Sequence, residues 1–303
     1  MASSSSATGS TEHSAVKLAF IQLASGGSAG LVEICLMHPL DVIKTRLQIQ
    51  KSGSAEAYTS LAHCCRSMYK NEGFLSFYKG ILPPILAETP KRATKFFTFE
   101  QYKSIFVALN LPLPYAFSFA GFLSGCTEAF VINPFEVVKV RLQSEKMQFS
   151  AQKNAFSTAR EIIRTDGFGL KGLNKGLTAT ICRHGIWNAC YFGFYHNVKA
   201  FLTKDGEVMG VPKRLLIGFT AGSLASAVNI PWDVAKSRIQ GPQPDSSTIK
   251  YKATAQTIRL VAKEEGVAAL YKGLLPKIMR LGPGGAIMLI VYEHMFDYLK
   301  LHL

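Results

Sequence analysis

The sequence is short of acid. Only 20 aspartate and glutamate residues stand against 34 lysine and arginine residues, and the 303-residue chain carries a formal charge of +14. A surplus of that size fits nucleic acid, anionic lipid or an anionic small molecule. No nucleic-acid motif is present. The basic residues fall largely in loops and at the ends of apolar stretches, the usual pattern beside membrane spans. Cysteine is sparse as well: Cys35, Cys64, Cys65, Cys126, Cys182 and Cys190 show no C-x-x-C spacing and no pairing plan, so they are read as free thiols. No metal cluster, nucleophile triad or cofactor loop marks an enzyme, and neither metal nor cofactor is expected. Gly282-Pro283-Gly284-Gly285 lacks the preceding strand and the Gly-Lys-Ser/Thr ending of a phosphate loop. The first fifteen residues hold Ser, Ala, Thr and Glu12 but no arginine and no apolar run. That argues against a secretory signal and a cleavable presequence, and leaves residues 1–16 as an expected disordered tail.

One pattern is present three times. Pro39-Leu40-Asp41-Val42-Ile43-Lys44-Thr45-Arg46, Pro134-Phe135-Glu136-Val137-Val138-Lys139-Val140-Arg141 and Pro231-Trp232-Asp233-Val234-Ala235-Lys236-Ser237-Arg238 each read P-x-[DE]-x-x-K-x-R. A glutamine follows two residues after each: Gln48, Gln143 and Gln240. The prolines lie 95 and 97 residues apart, so the chain holds three copies of one folding unit. Each copy offers two segments near the ~20 residues that a bilayer-spanning helix needs. They are 18–40, 80–107, 113–135, 176–201, 215–232 and 273–299. Hydrophobic residues make up 48% and the mean hydropathy is only +0.15, which suits helices apolar outside and wet inside. The expected fold is all-α, with six transmembrane helices in three pseudosymmetric repeats. Stretches such as 284–292 and 215–231 are too uniformly apolar for the surface helices of a soluble repeat protein.

Within each copy, G-x-x-x-G pairs (Gly26 and Gly30, Gly121 and Gly125, Gly218 and Gly222) precede the proline and permit close backbone approach. Pro39, Pro134 and Pro231 fall inside a helical pattern, where proline costs ~3 kcal/mol, and are expected to kink their helices. A polar loop follows, with a short amphipathic helix clearest at 254–264. Each loop closes on an acid-Gly pair and a Lys-Gly pair: Glu72-Gly73 with Lys79-Gly80, Asp166-Gly167 with Lys175-Gly176, and Glu265-Gly266 with Lys272-Gly273. The signature acids and lysines are three residues apart and share a helix face. Where the kinked ends converge, Asp41, Glu136 and Asp233 meet Lys44, Lys139 and Lys236; the alternative is three separate solvated pairs.

Together these elements resemble the mitochondrial carrier family, from about residue 17 to the end. The resemblance implies repeats at 17–108, 109–206 and 207–303. It implies six transmembrane helices in the mitochondrial inner membrane and alternating access to one central site. It makes the three acid–lysine sets a matrix-side gate, with pairs between neighbouring repeats (Asp41 with Lys139, Glu136 with Lys236, Asp233 with Lys44) and the three glutamines as braces. It also implies a cytoplasmic gate of the form [FY]-[DE]-x-x-[KR]. Phe99-Glu100-Gln101-Tyr102-Lys103 matches this form; in the second repeat His196 replaces the acid ahead of Lys199; in the third Glu293 stands without its base. The second gate is thus expected to be the weaker one. A monomer surrounded by anionic lipid, cardiolipin included, is implied too.

Counting 1.5 Å per residue from the glycine that opens each even-numbered helix places Glu88, Lys91, Arg92, Arg183, His184 and Arg280 near mid-membrane, with Lys95 and Lys277 one turn away. Charges at that depth cost at least ~2.5–3.5 kcal/mol each on insertion scales and are functional candidates by default. Six cations (Lys91, Arg92, Lys95, Arg183, Lys277, Arg280) outnumber Glu33, Glu88 and Glu128. The site should therefore bind an anion, and two separated cationic points suit a dicarboxylate. Glu88 and Arg92 are i, i+4 and can also pair with each other. The Arg183-His184 pair resembles the contact point of family members that carry keto acids and dicarboxylates. The runs 80–92, 172–180, 239–244 and 277–286 resemble the branch that exchanges 2-oxoadipate and 2-oxoglutarate. The Arg-Arg-Arg-Met-Met-Met signature of nucleotide exchangers is absent. The expected activity is antiport of C5–C7 2-oxodicarboxylates. The alternatives are a citrate or other dicarboxylate carrier of the family, or a non-transporting receptor built on the same fold.

Overall fold

A computed structural model describes residues 5–50, 57–202, 210–243 and 249–302. Among the described residues there are nine α-helices and no strand. Six are long: α1 (Ser5–Ile49), α3 (Leu82–Ala108), α4 (Leu113–Ser144), α6 (Leu177–Leu202), α7 (Val211–Gln240) and α9 (Leu274–His302). Three are short: α2 (Leu61–Glu72), α5 (Ala155–Asp166) and α8 (Thr254–Glu265). The long helices coincide with the six expected spans. Three of them, in Tyr115–Ser144, Leu215–Gln240 and Val267–His302, are apolar and long enough to cross a membrane by composition alone. The others carry the charges that the expected site requires.

One feature differs from expectation. Helix α1 begins at Ser5 and so runs through most of the stretch expected to be a disordered tail. Those residues contain no proline, and extending a helix already nucleated by an apolar segment costs far less than starting one. The signature helices do not stop at their prolines, in line with the expected placement of proline inside a helix. Pro39, Pro134 and Pro231 all lie inside α1, α4 and α7, which continue about three turns further. Each continuation carries the acid, lysine, arginine and glutamine of one signature.

The chain divides into two compact units, one of Met1–Met37 with Gly282–Leu303, the other of His38–Leu281. In the larger unit α3 packs on α4, α4 on α6 and α6 on α7. The contact between α4 and α6 is tight at Gly125, where a Cβ would lie 2.5 Å from Asn188 Nδ2 and 3.2 Å from the His184 carbonyl oxygen. In the smaller unit Gly26 meets nothing within 4 Å, so the G-x-x-x-G reading holds at Gly125 and not there.

The short helices dock on the signature segments through small apolar clusters. Val42, Ile43 and Leu47 of α1 meet Cys64 and Met68 of α2. Val138 and Leu142 of α4 meet Leu173 with Ala159 and Ile162 of α5 packed beside them. Ile239 of α7 meets Val261 of α8 and Leu270. Burying such side chains is worth ~1.5–3 kcal/mol each. It fixes where each loop returns to the bundle and where the next long helix starts.

The Lys-Gly turns make that return precise. Gly80, Gly176 and Gly273 all have positive φ (66°, 71° and 83°), a region that side chains with a Cβ avoid. Space is also lacking. A Cβ on Gly80 would sit 3.1 Å from the Lys139 carbonyl oxygen, one on Gly176 3.1 Å from Gln240 Cγ, and one on Gly273 3.0 Å from Gln48 Cγ. Each turn therefore presses on the signature segment of the next copy: first on second, second on third, third on first.

Candidate gate and substrate site

The same cyclic order governs the charges, all of which lie in the larger unit. Lys139 Nζ is 2.7 Å from Asp41, Lys44 Nζ is 2.9 Å from Asp233, and Lys236 pairs with Glu136. These are the three pairs that the family resemblance implies, and they close a cycle through α1, α4 and α7. They are not solvated surface pairs: Asp233 is 2% exposed and Lys236 7%.

Among the described residues the glutamines make no hydrogen bond to these ion pairs. Thr45 Oγ1 donates to Gln143 Oε1 at 2.7 Å, and Ser237 Oγ donates to Gln48 Oε1 at 2.8 Å. Gln240 Nε2 donates to Asn133 Oδ1 at 3.0 Å and to the Lys175 carbonyl at 3.3 Å. They brace helix to helix one turn beyond the charges, because an amide at that register faces the neighbouring hydroxyl and not the lysine.

Each gate acid holds a second cation from α6 or α9. Arg280 Nη1 donates to Asp41 at 2.5 Å, Lys277 Nζ to Asp233 at 2.7 Å, and Arg183 Nη2 to Glu136 at 2.7 Å, with Arg183 Nε 3.7 Å from Asp233. Of the candidate substrate residues, Arg183 and Arg280 are thus engaged by the gate itself. Sequence reasoning places Lys277 one turn from the site; the structure makes it a gate partner.

The α3 residues form a second group. Glu88 and Arg92 pair with each other, as their spacing allows. The charges of Lys91 and Lys95 act on Glu128, a residue of α4 only 1% exposed, whose Oε1 is 3.6 Å from His184 Nδ1. The Arg183-His184 pair stands between the two groups, since Arg183 also donates to His184 Nε2. Glu128 sits six residues before its proline, as Glu33 does, and that register is the sequence signal for it.

Of the expected cytoplasmic gate, the described residues show only part. Glu100 pairs with Lys103 on its own helix, Glu293 is exposed, and the side chains of His196 and Lys199 lie outside the described residues. An i, i+3 partner on the same helix is always within reach, whereas a partner on another helix must be brought there.

One functional arrangement escapes the sequence reading: the signature arginine clasps the acid of the acid-Gly pair. Arg46 binds Glu72, with Nη2 to Oε2 at 2.7 Å, and donates from Nε to the Gln143 carbonyl at 3.1 Å. Lys79 Nζ reaches the same carboxylate at 2.6 Å. Arg238 grips Glu265 at 2.7 and 3.0 Å and donates to the Gln48 carbonyl at 2.6 Å. Burial, the largest single influence, pushes the Glu72 carboxyl up, but hydrogen bonds from Arg46 and Lys79 outweigh it and hold the group below its ordinary value. Burial depresses Lys79. The middle copy differs. Arg141 is exposed, Asp166 is a methylene shorter than glutamate, and among the described residues no ion pair joins Arg141, Asp166 and Lys175. These three line a cavity of ≈ 220 Å³ instead. The recurring arginine and acid, 25 to 27 residues apart, are the signal that could have found the clasps.

The chain is similar to known proteins along nearly its whole length. The chain is 56% identical over 291 residues to the human mitochondrial 2-oxodicarboxylate carrier, covering 95% of this chain and 97% of that one. It is 54% identical to the mouse protein of the same name (92% and 94% covered). It is 39% identical to mitochondrial citrate transporter D of Aspergillus niger (92% and 94% covered). The family described as mitochondrial carrier protein matches residues 17–109, 113–206 and 207–303. Each matched stretch bears one signature helix and one Lys-Gly turn of the cycle described above, and the chain belongs to the mitochondrial carrier family.

Proposed function

We propose that the protein is an antiporter of C5–C7 2-oxodicarboxylates, 2-oxoadipate and 2-oxoglutarate among them, working by alternating access as a multi-pass protein of the mitochondrial inner membrane. The observation that carries the reading is the double partnership of the gate acids. Arg183 and Arg280 neutralise Glu136 and Asp41 from positions that the residue count sets near mid-membrane. A dianion entering between them competes for the same guanidinium groups. Its carboxylates offer bidentate geometry that a single gate oxygen does not. Taking the arginines removes one of the two cations from each acid and weakens the closed ring, so anion binding and gate opening draw on one set of charges. Similarity to carriers named for 2-oxodicarboxylates supports the substrate class. Lys91, Arg92 and Lys95 add positive potential above the arginines. Glu100, Lys103, His196, Lys199 and Glu293 supply the opposing gate. The working unit is a monomer of three repeats, 17–108, 109–206 and 207–303, and its +14 charge suits anionic lipid, cardiolipin included.

Counter-exchange in liposomes tests this. With labelled 2-oxoglutarate inside, external 2-oxoadipate and 2-oxoglutarate should drive efflux, and aspartate should not. A second reading, citrate transport, draws on the name of the Aspergillus relative. Citrate outperforming both oxo acids in the same panel would replace the first reading with the second.

A further inference from the structure

The guanidinium group of Arg183 fixes the state of His184. Arginine has no acceptor, so its hydrogen bond to His184 Nε2 requires that nitrogen to be bare. The single proton of the neutral ring then sits on Nδ1, which faces Glu128 Oε1 at 3.6 Å. Glu128 is 1% exposed, and its Oε2 accepts no hydrogen bond among the described residues. A buried carboxylate beside a neutral imidazole is costly unless other cations compensate. The groups facing the pair are Lys91 and Lys95 from α3, Arg183 from α6, and Glu136 of α4 itself; Asp233 of α7 reaches only as far as Arg183.

We infer that His184 Nε2 is a proton-binding site that opens when an anionic substrate takes Arg183. The inference rests on the dicarboxylate reading. Once Arg183 turns to a substrate carboxylate, Nε2 loses both its donor and the cation that opposes protonation. Glu128 on one side and the bound dianion on the other then favour the imidazolium form. The proton comes from water, adds to the Nε2 lone pair and breaks no heavy-atom bond. It leaves when the anion leaves and Arg183 returns. One proton is bound with each anion. In one-for-one exchange the proton movements cancel, so the coupling appears in binding and not in net acidification.

Titration calorimetry of 2-oxoglutarate into the purified wild-type protein, in buffers of different ionisation enthalpy, counts the protons directly. The expected value is about one per anion, and by linkage KM for exchange should rise up to about tenfold per pH unit above neutrality. His184→Gln can still accept from Arg183 but binds no proton, so its count should fall to near zero and its KM profile flatten. Glu128→Gln should move the rise in KM to lower pH, because the imidazolium loses its counter-charge. If His184→Gln fails to fold, the wild-type count and the Glu128→Gln shift decide. A wild-type count near zero with a flat KM overturns the proton site while leaving the dicarboxylate reading intact. A wild-type proton count retained in His184→Gln overturns it equally. Failure of 2-oxoglutarate to bind at any pH overturns both.

Discussion

The charged residues of the gate are unequal. Each acid holds at least two cations, whereas among the described residues Lys139 and Lys236 each pair with one acid. Lys139→Gln therefore leaves Asp41 still compensated by Arg280, and its cost should fall below the ~3–5 kcal/mol of a fully orphaned buried charge. Asp41→Asn removes the carboxylate that Lys139 and Arg280 share and should lower the melting temperature more. Thermal-shift measurements on the two variants check the order; the reverse order would contradict the double partnership. A cycle of Asp41→Lys, Lys139→Asp and the double change should show coupling above ~0.5 kcal/mol. Arg183→Ala and Arg280→Ala should each abolish exchange in folded protein, since Glu136 retains Lys236 and Asp41 retains Lys139. Wild-type uptake by either variant would end the site assignment. At this scale the sequence was informative where a spacing repeats: the six gate charges follow from copies in register, while the choice of which acid meets which lysine came from the family resemblance. It was uninformative where a partner lies on another helix at no fixed spacing. Nothing in the order of residues joins His184 to Glu128 or Lys277 to Asp233.

Among the elements, the short helices are held to the signature segments with different strength. α2 and α8 are clasped through Arg46–Glu72 and Arg238–Glu265, while α5 has only its apolar face. Arg238 is 1% exposed, and Arg238→Ala leaves the Glu265 carboxylate with Lys272 at 3.5 Å, so it should cost more than the under ~1 kcal/mol of the exposed Arg141→Ala but less than the ~3–5 kcal/mol of a fully orphaned charge. Denaturation of each variant in the same detergent measures the difference, and equal costs would show that the clasp adds nothing. Asp166→Glu restores the missing methylene and should protect α5 from amide hydrogen exchange. The existence and limits of α8 were legible from its 3.6-residue period. The clasp was not, because an arginine and an acid some 26 residues apart carry no helical phase relation; only their recurrence marks them.

For the whole molecule, the substrate class follows from charge at depth. Loading ADP or ATP inside liposomes should drive no uptake, because Arg183-His184 resembles the contact point of keto-acid and dicarboxylate carriers and the Arg-Arg-Arg-Met-Met-Met signature of nucleotide exchangers is absent. Robust ADP exchange would overturn that reading. The six spans were legible despite charges that hide three of them from a hydropathy window, since the repeat supplies what composition does not. The extent of α1 was not legible, because Ser, Ala and Thr fit coil and helix alike.

The Lys-Gly turns and ion pairs run head to tail: every copy offers one surface forward and a different one backward. An interface of that heterologous kind does not complete itself in pairs, as a two-fold contact does; it terminates only by closing on its own start. Here it closes at three. Two copies alone would expose a glycine turn at one end and an unmatched glutamine at the other, and so behave as an open filament end. The last seam to form joins segments already tethered in place, so it gains its contacts at a small entropic cost. Cutting any single seam turns the closed ring into a line whose other two joints remain made, and that is the smallest change by which such a ring can admit a passenger.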